Sequence, residues 1–82
     1  MKLEVRIERT SAPKAHPPES DLGFGRHFTD HMLLVDFNEG HGWSDARVVP
    51  YGPLSLDPAA AVLHYGQAMF EGIKAIRGDD GV

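Results

Sequence analysis

Leu3, Val5 and Ile7 alternate with Glu4, Arg6 and Glu8, a period of two that predicts a half-buried strand over residues 2–9. Pro13, Pro17 and Pro18 follow, and proline gives no N–H to a ladder, so residues 10–21 read as an extended connector. The run HFTDHMLLVDF, residues 27–37, is rich in strand formers and meets the turn signal Asn38-Glu39-Gly40. It predicts a buried strand followed by a turn. Residues 42–49, GWSDARVV, predict a strand opposite it with Trp43 as the large apolar anchor, and Pro50-Tyr51-Gly52-Pro53 ends that hairpin.

The pattern changes in residues 54–77, LSLDPAAAVLHYGQAMFEGIKAIR. Asp57 suits an N-cap, Pro58 the first helical position, and Ala59, Ala60 and Ala61 are the best helix formers. Ala59, Val62 and Leu63 fit one face of a helix of about two turns, closed by Gly66 as a left-handed cap. Beyond Gly66 the period returns to two. Phe70, Gly72, Lys74 and Ile76 fall on one face and Glu71, Ile73, Ala75 and Arg77 on the other, which predicts a strand. Gly78-Asp79-Asp80-Gly81 reads as a turn, with Val82 starting a return strand. Together these elements predict an α/β (α+β) piece of antiparallel strands with one short helix. It divides into an amino-terminal strand and connector, 1–21, and an incomplete small domain, 22–82.

Composition narrows the function classes. Eighty-two residues allow one small domain at most, and a chain this short buries only a modest share of its surface. Twelve acids against eight bases give a net charge of −4 with no basic stripe, which argues against nucleic acid as a partner. The absence of cysteine excludes a disulfide framework and a thiolate metal site, and makes the cytoplasm the default location. The opening MKLEVRIERT has spaced charges rather than an apolar core, so it does not read as a signal peptide, and no run reaches membrane-spanning length.

Two features could carry chemistry. Phe24 lies between Gly23 and Gly25, where the backbone turns freely and a ring can be presented from a loop; on its own it reads as a plug for a local hydrophobic gap. His27 and His31 are four apart. On a strand they share a face but lie about 13 Å apart, too far for one ion, so they read as hydrogen-bonded polar residues at a strand entrance, and no metal site is expected.

The order FGRHFTDHML, then GW, then YGPLSLDPAAAVLHYGQAMFEGIKAIR resembles the amino-terminal part of a branched-chain amino acid aminotransferase. These are fold-type IV enzymes that use pyridoxal 5′-phosphate, and the resemblance runs from about residue 24 to residue 81. It implies a small α/β domain packed on a larger one with the cofactor between them, and a cytoplasmic homodimer whose interface completes each site. It also implies reversible amino transfer between leucine, isoleucine or valine and 2-oxoglutarate.

By the same resemblance Phe24 and Phe70 line the apolar pocket for the branched side chain, and Tyr65 reaches into the partner subunit's site. That reverses the local reading of Phe24. Shaped aromatic walls suit an aliphatic side chain, which offers no hydrogen bonds and is told from its homologues at about 1–3 kcal/mol per methylene. The family's Schiff-base lysine, phosphate-binding arginine and pyridinium-pairing carboxylate are expected beyond Val82, so no catalytic residue is assigned and the 82 residues alone are expected to be inactive. Lys74 reads as an ordinary strand lysine, and Ile76 departs from the family's usual aromatic. Two alternatives stand beside this reading. One is a non-catalytic fragment acting as an interaction module, and the other a D-amino acid aminotransferase or aminodeoxychorismate lyase relative, whose equivalents of residues 54–67 are shorter.

Overall fold

A computed structural model describes residues 3–81. Three strands form one mixed sheet in the order β1-β3-β2: β1 is Arg6–Ile7, β2 is His31–Asn38 and β3 is Gly42–Pro50. A 3-10 turn covers Glu19–Asp21, and one helix, α1, covers Ala61–His64.

The hairpin forms where the strand formers and the turn signal predict it, except that β2 starts at His31 rather than at residue 27, the Asp30 carboxylate before it being taken by the Lys14 N–H. β2 and β3 pair antiparallel from His31↔Pro50 to Asn38↔Gly42, and the His41 N–H closes the turn on the Asn38 carbonyl at 3.1 Å. Between Leu34↔Arg47 and Asp36↔Ser44 the register shifts by one residue on β3, where Asp45 takes a φ of +53°. One extra residue on β3 is a bulge, and it leaves the alternation of β2 intact. Leu33, Val35 and Phe37 therefore share a face, joined by their cross-strand neighbours Val48 and Trp43. The Phe37 and Trp43 rings meet edge to face at 5.0 Å, the pairing that the quadrupoles of two aromatic rings favour.

β1 is shorter than its alternation predicts, and Lys2 lies outside the described residues. It pairs parallel to β3 through Arg6↔Arg47 and Ile7↔Val48, so the sheet is mixed rather than purely antiparallel. Leu3, Val5 and Ile7 are exposed rather than half-buried, because nothing described packs on their side of the sheet. The same holds for β2, which is half-buried to exposed rather than buried. Among the described residues only Ala46, at the centre of the sheet, forms a buried apolar core. The radius of gyration of 16.4 Å exceeds the about 12 Å expected of a compact domain of this length.

The carboxy-terminal third differs most from its prediction. Asp57 accepts the Ala59 N–H at Oδ1 (2.7 Å) and the Ala60 N–H at its carbonyl (2.9 Å), which makes a turn rather than a helix start. The helix begins only at Ala61, runs a single turn, and has no side-chain cap at Ala60. Gly66 follows at φ +63°, the left-handed cap that its position predicts. Residues 67–78 form neither helix nor strand. Among the described residues the period-two segment has no neighbouring strand, and alternation without a ladder leaves most of its backbone N–H and C=O groups to water. The turn after it is present, with the Gly81 N–H on the Gly78 carbonyl at 3.0 Å, while Val82 lies outside the described residues.

Candidate functional site

The loop that carries Phe24 is built by its neighbours. Gly23 and Gly25 adopt φ of +62° and +68°, and a Cβ on Gly23 would come 3.0 Å from Arg26 Nε. The positive φ favours glycine at both positions, and at Gly23 a side chain would also press on that of Arg26. Asp21 holds both ends of the turn: its carboxylate accepts from Arg26 Nη2 at 2.9 Å, and its carbonyl accepts from His27 Nε2 at 3.0 Å. The ring of Phe24 is left 100% exposed.

Tyr65 leaves the end of α1 with its N–H on the Ala61 carbonyl at 2.8 Å, and is 88% exposed. His64 Nε2 donates to the Pro58 carbonyl at 2.6 Å and ties the helix back to the preceding turn. Phe70, on the segment without regular structure, is 95% exposed. Phe24 and Phe70, which the resemblance assigns to one pocket, and Tyr65, which it assigns to the partner subunit's site, thus stand on separate segments, and among the described residues none packs against another aromatic ring.

His27 and His31 are not partners on one strand. His27 precedes β2, and His31 Nε2 accepts the Thr10 N–H at 3.0 Å, fastening the connector to the sheet. Each imidazole has a backbone partner, as expected of polar residues at a strand entrance.

One cleft of 220 Å³ does form, between the connector and the segment before β2, with Lys14, His16, Leu22, His27, Phe28 and Asp30 among its walls. Sequence reasoning missed it, because its parts lie up to sixteen residues apart with no shared period. The Lys14 N–H reaches Asp30 Oδ1 at 3.0 Å, and its ammonium donates to the Phe28 carbonyl at 3.4 Å and lies 5.6 Å from the centre of the Tyr51 ring. Phe28 stacks on Tyr51 at 5.5 Å. The cluster is a strut between connector and hairpin, and none of Phe24, Tyr65 and Phe70 lines the cleft.

These residues do not fit pyridoxal phosphate. Lys14 is engaged, Lys74 is exposed on the irregular segment, and Lys2 lies outside the described residues. Arg6, Arg26 and Arg47 face aspartates at 2.9–3.7 Å rather than converging on a phosphate cradle. No step of a cofactor reaction can be assigned to this set.

No protein-family model matches the chain. Curated proteins do. Branched-chain-amino-acid transaminase 1 of Bacillus subtilis is 55% identical over 77 residues, covering 94% of this chain and 22% of its own length. Branched-chain-amino-acid aminotransferase 2 of the same organism is 52% identical over 79 residues, 96% of this chain and 22% of its own. A probable branched-chain-amino-acid aminotransferase of Streptomyces coelicolor is 54% identical over 77 residues, 84% of this chain and 21% of its own. The chain is therefore homologous to the branched-chain-amino-acid aminotransferases along nearly all of its sequence, and it spans about a fifth of the length of these relatives.

Proposed function

We propose that this chain forms part of a branched-chain amino acid transaminase that moves an amino group reversibly between leucine, isoleucine or valine and 2-oxoglutarate. The observation that carries the reading is the identity of 52–55% over 77–79 residues to proteins named for that activity. In such an enzyme pyridoxal 5′-phosphate supplies the electron sink, and the groups that hold it fall to parts of the enzyme other than these residues. The whole enzyme is read as a cytoplasmic homodimer of fold type IV. Among the described residues no helix is long and apolar enough to cross a membrane, and the composition is free of cysteine.

Within that enzyme Phe24 and Phe70 are assigned to the wall around the branched side chain, and Tyr65 to the partner subunit's site. Their exposure of 88–100% leaves all three rings free to meet another surface of the enzyme, which is compatible with this assignment. A chimera tests it: the matched residues of the Bacillus subtilis transaminase 1 are replaced by this sequence, and leucine–2-oxoglutarate transfer is measured. Activity within about tenfold of the parent supports the reading, and an inactive, folded chimera refutes it. In the active chimera, Phe24→Ala and Phe70→Ala lower kcat/KM for leucine about tenfold or more while sparing that for alanine. Equal losses for both donors would remove the two rings from the specificity wall.

A further inference from the structure

The ring of Phe24 is fully exposed, so among the described residues no side chain packs on it, and its direction is set by the backbone of residues 21–27. That backbone is of the least restrained kind: Gly23 and Gly25 flank the ring at positive φ, and glycine has the widest choice of conformations. Two side chains take up that freedom. Arg26 reaches back past Gly23 to Asp21, with Nη2 on Oδ1 at 2.9 Å and with Nε and Cδ 3.0 and 3.2 Å from where a Gly23 Cβ would stand. His27 reaches the Asp21 carbonyl from Nε2 at 3.0 Å. Asp21 is itself anchored. Its N–H closes the 3-10 turn on the Pro18 carbonyl at 2.9 Å, and the connector before it is fastened to the entrance of β2 by the Lys14 N–H on Asp30 Oδ1 and the Thr10 N–H on His31 Nε2, each at 3.0 Å.

We infer that Asp21 and Arg26 are positioning residues for branched-chain specificity: their ion pair, with the His27 hydrogen bond beside it, closes the turn and fixes the angle at which Phe24 meets the aliphatic side chain of the substrate. Neither residue touches substrate in this role. The inference deepens the proposed transaminase reading and rests on its placement of Phe24 in the specificity wall. An apolar wall has no hydrogen bonds to offer, so it tells leucine from alanine only through the methyl and methylene groups it contacts, and those contacts fade with a small radial gap. A ring that swings on two glycines keeps its apolar surface and loses that fit. The clamp therefore acts on selectivity and leaves transfer from a small donor alone. At 61% and 62% side-chain exposure the pair contributes little to stability, which suits positioning rather than support.

The test uses the intact holoenzyme that carries these residues. Arg26→Asp sets two carboxylates against each other. Loss of an exposed pair is worth about twofold and the repulsion that replaces it about as much again, so the leucine-to-alanine ratio of kcat/KM is expected to fall about fourfold, with the value for alanine kept within about 1.5-fold. Binding reads the same change without chemistry: the Kd of 4-methylpentanoate is expected to rise about fourfold while that of propanoate stays unchanged. The charge-swapped protein, Asp21→Arg with Arg26→Asp, is expected to recover both ratios to within about twofold of the parent, a rescue that separates the clamp from any loss of folding. The inference is overturned if Arg26→Asp leaves both ratios unchanged, if it lowers leucine and alanine equally, or if the swap fails to recover them. The reading beneath it is separable. A selective loss from Phe24→Ala beside an unmoved Arg26→Asp removes the clamp and leaves the wall standing, whereas equal losses for both donors from Phe24→Ala remove the wall and the clamp with it.

Discussion

The hairpin His31–Pro50 and the segment 67–77 both carry strand signals, a run of strand formers before a turn in the one and apolar residues at a period of two in the other, yet one is a sheet and the other is not. The two strands of the hairpin follow one another across a tight turn, β2 ending at Asn38 and β3 starting at Gly42, so closing the loop is cheap and pairing is repaid by ladder bonds. Segment 67–77 has no strand beside it. Met69, Phe70 and Ile73 are all more than four-fifths exposed, and apart from the Gln67 N–H on the Ala61 carbonyl at 3.5 Å the backbone joins no ladder among the described residues. The comparison teaches that alternation states which face would be buried, while the neighbour decides whether any face is.

The largest test of that contrast is a proline on each side of it. Val49→Pro removes a donor from the middle strand and is expected to cost about 3 kcal/mol or more, abolishing the strand signal and the near-ultraviolet band of Trp43 in circular dichroism. Ile73→Pro is expected to leave both signals unchanged in the 82-residue chain. If Ile73→Pro proved equally damaging, segment 67–77 would have to be paired in solution.

A smaller effect follows from the aromatic pair. Phe37→Ala removes the edge-to-face contact with Trp43 and is expected to lower the urea midpoint by an amount worth about 1 kcal/mol. Phe70→Ala, on the irregular segment, is expected to move it by less than about 0.3 kcal/mol, as surface substitutions usually do.

Within the loop of Phe24, Gly23→Ala meets both a positive φ and the Arg26 side chain, and is expected to cost about 1 kcal/mol. Gly25→Ala meets the φ alone, so it is expected to cost less; a reversal of that order would mean that Arg26 moves freely aside. The smallest change is Arg26→Gln. Its ion pair with Asp21 is well exposed, so the loss is expected to stay below about 0.5 kcal/mol and to vanish at high salt.

Much of the candidate site was legible residue by residue, and little of it as an arrangement. Gly23, Gly25 and Gly66 were read as backbone punctuation from the residue type, and all three adopt the left-handed conformation that glycine tolerates. The helix starts later than propensity predicts, although Asp57, Pro58 and three alanines fit a start. Asp57 instead spends its carboxylate on a local turn, and four helical residues fall far short of the about twelve that sustain a helix in water without packing. Sequence pattern did not show the strut of Lys14, Phe28 and Tyr51, since it joins a connector, a loop and a strand end that share no period.

By itself the sequence determined the hairpin, its turn, the glycine conformations and the kinship with the aminotransferases, because each depends on residues close in the chain or on identity position by position. Only the tertiary structure decided that β1 lies parallel to β3, that a bulge at Asp45 keeps Leu33, Val35 and Phe37 on one face, and that segment 67–77 remains without a ladder. Those outcomes turn on which surfaces meet, and a residue pattern specifies a surface without specifying what covers it.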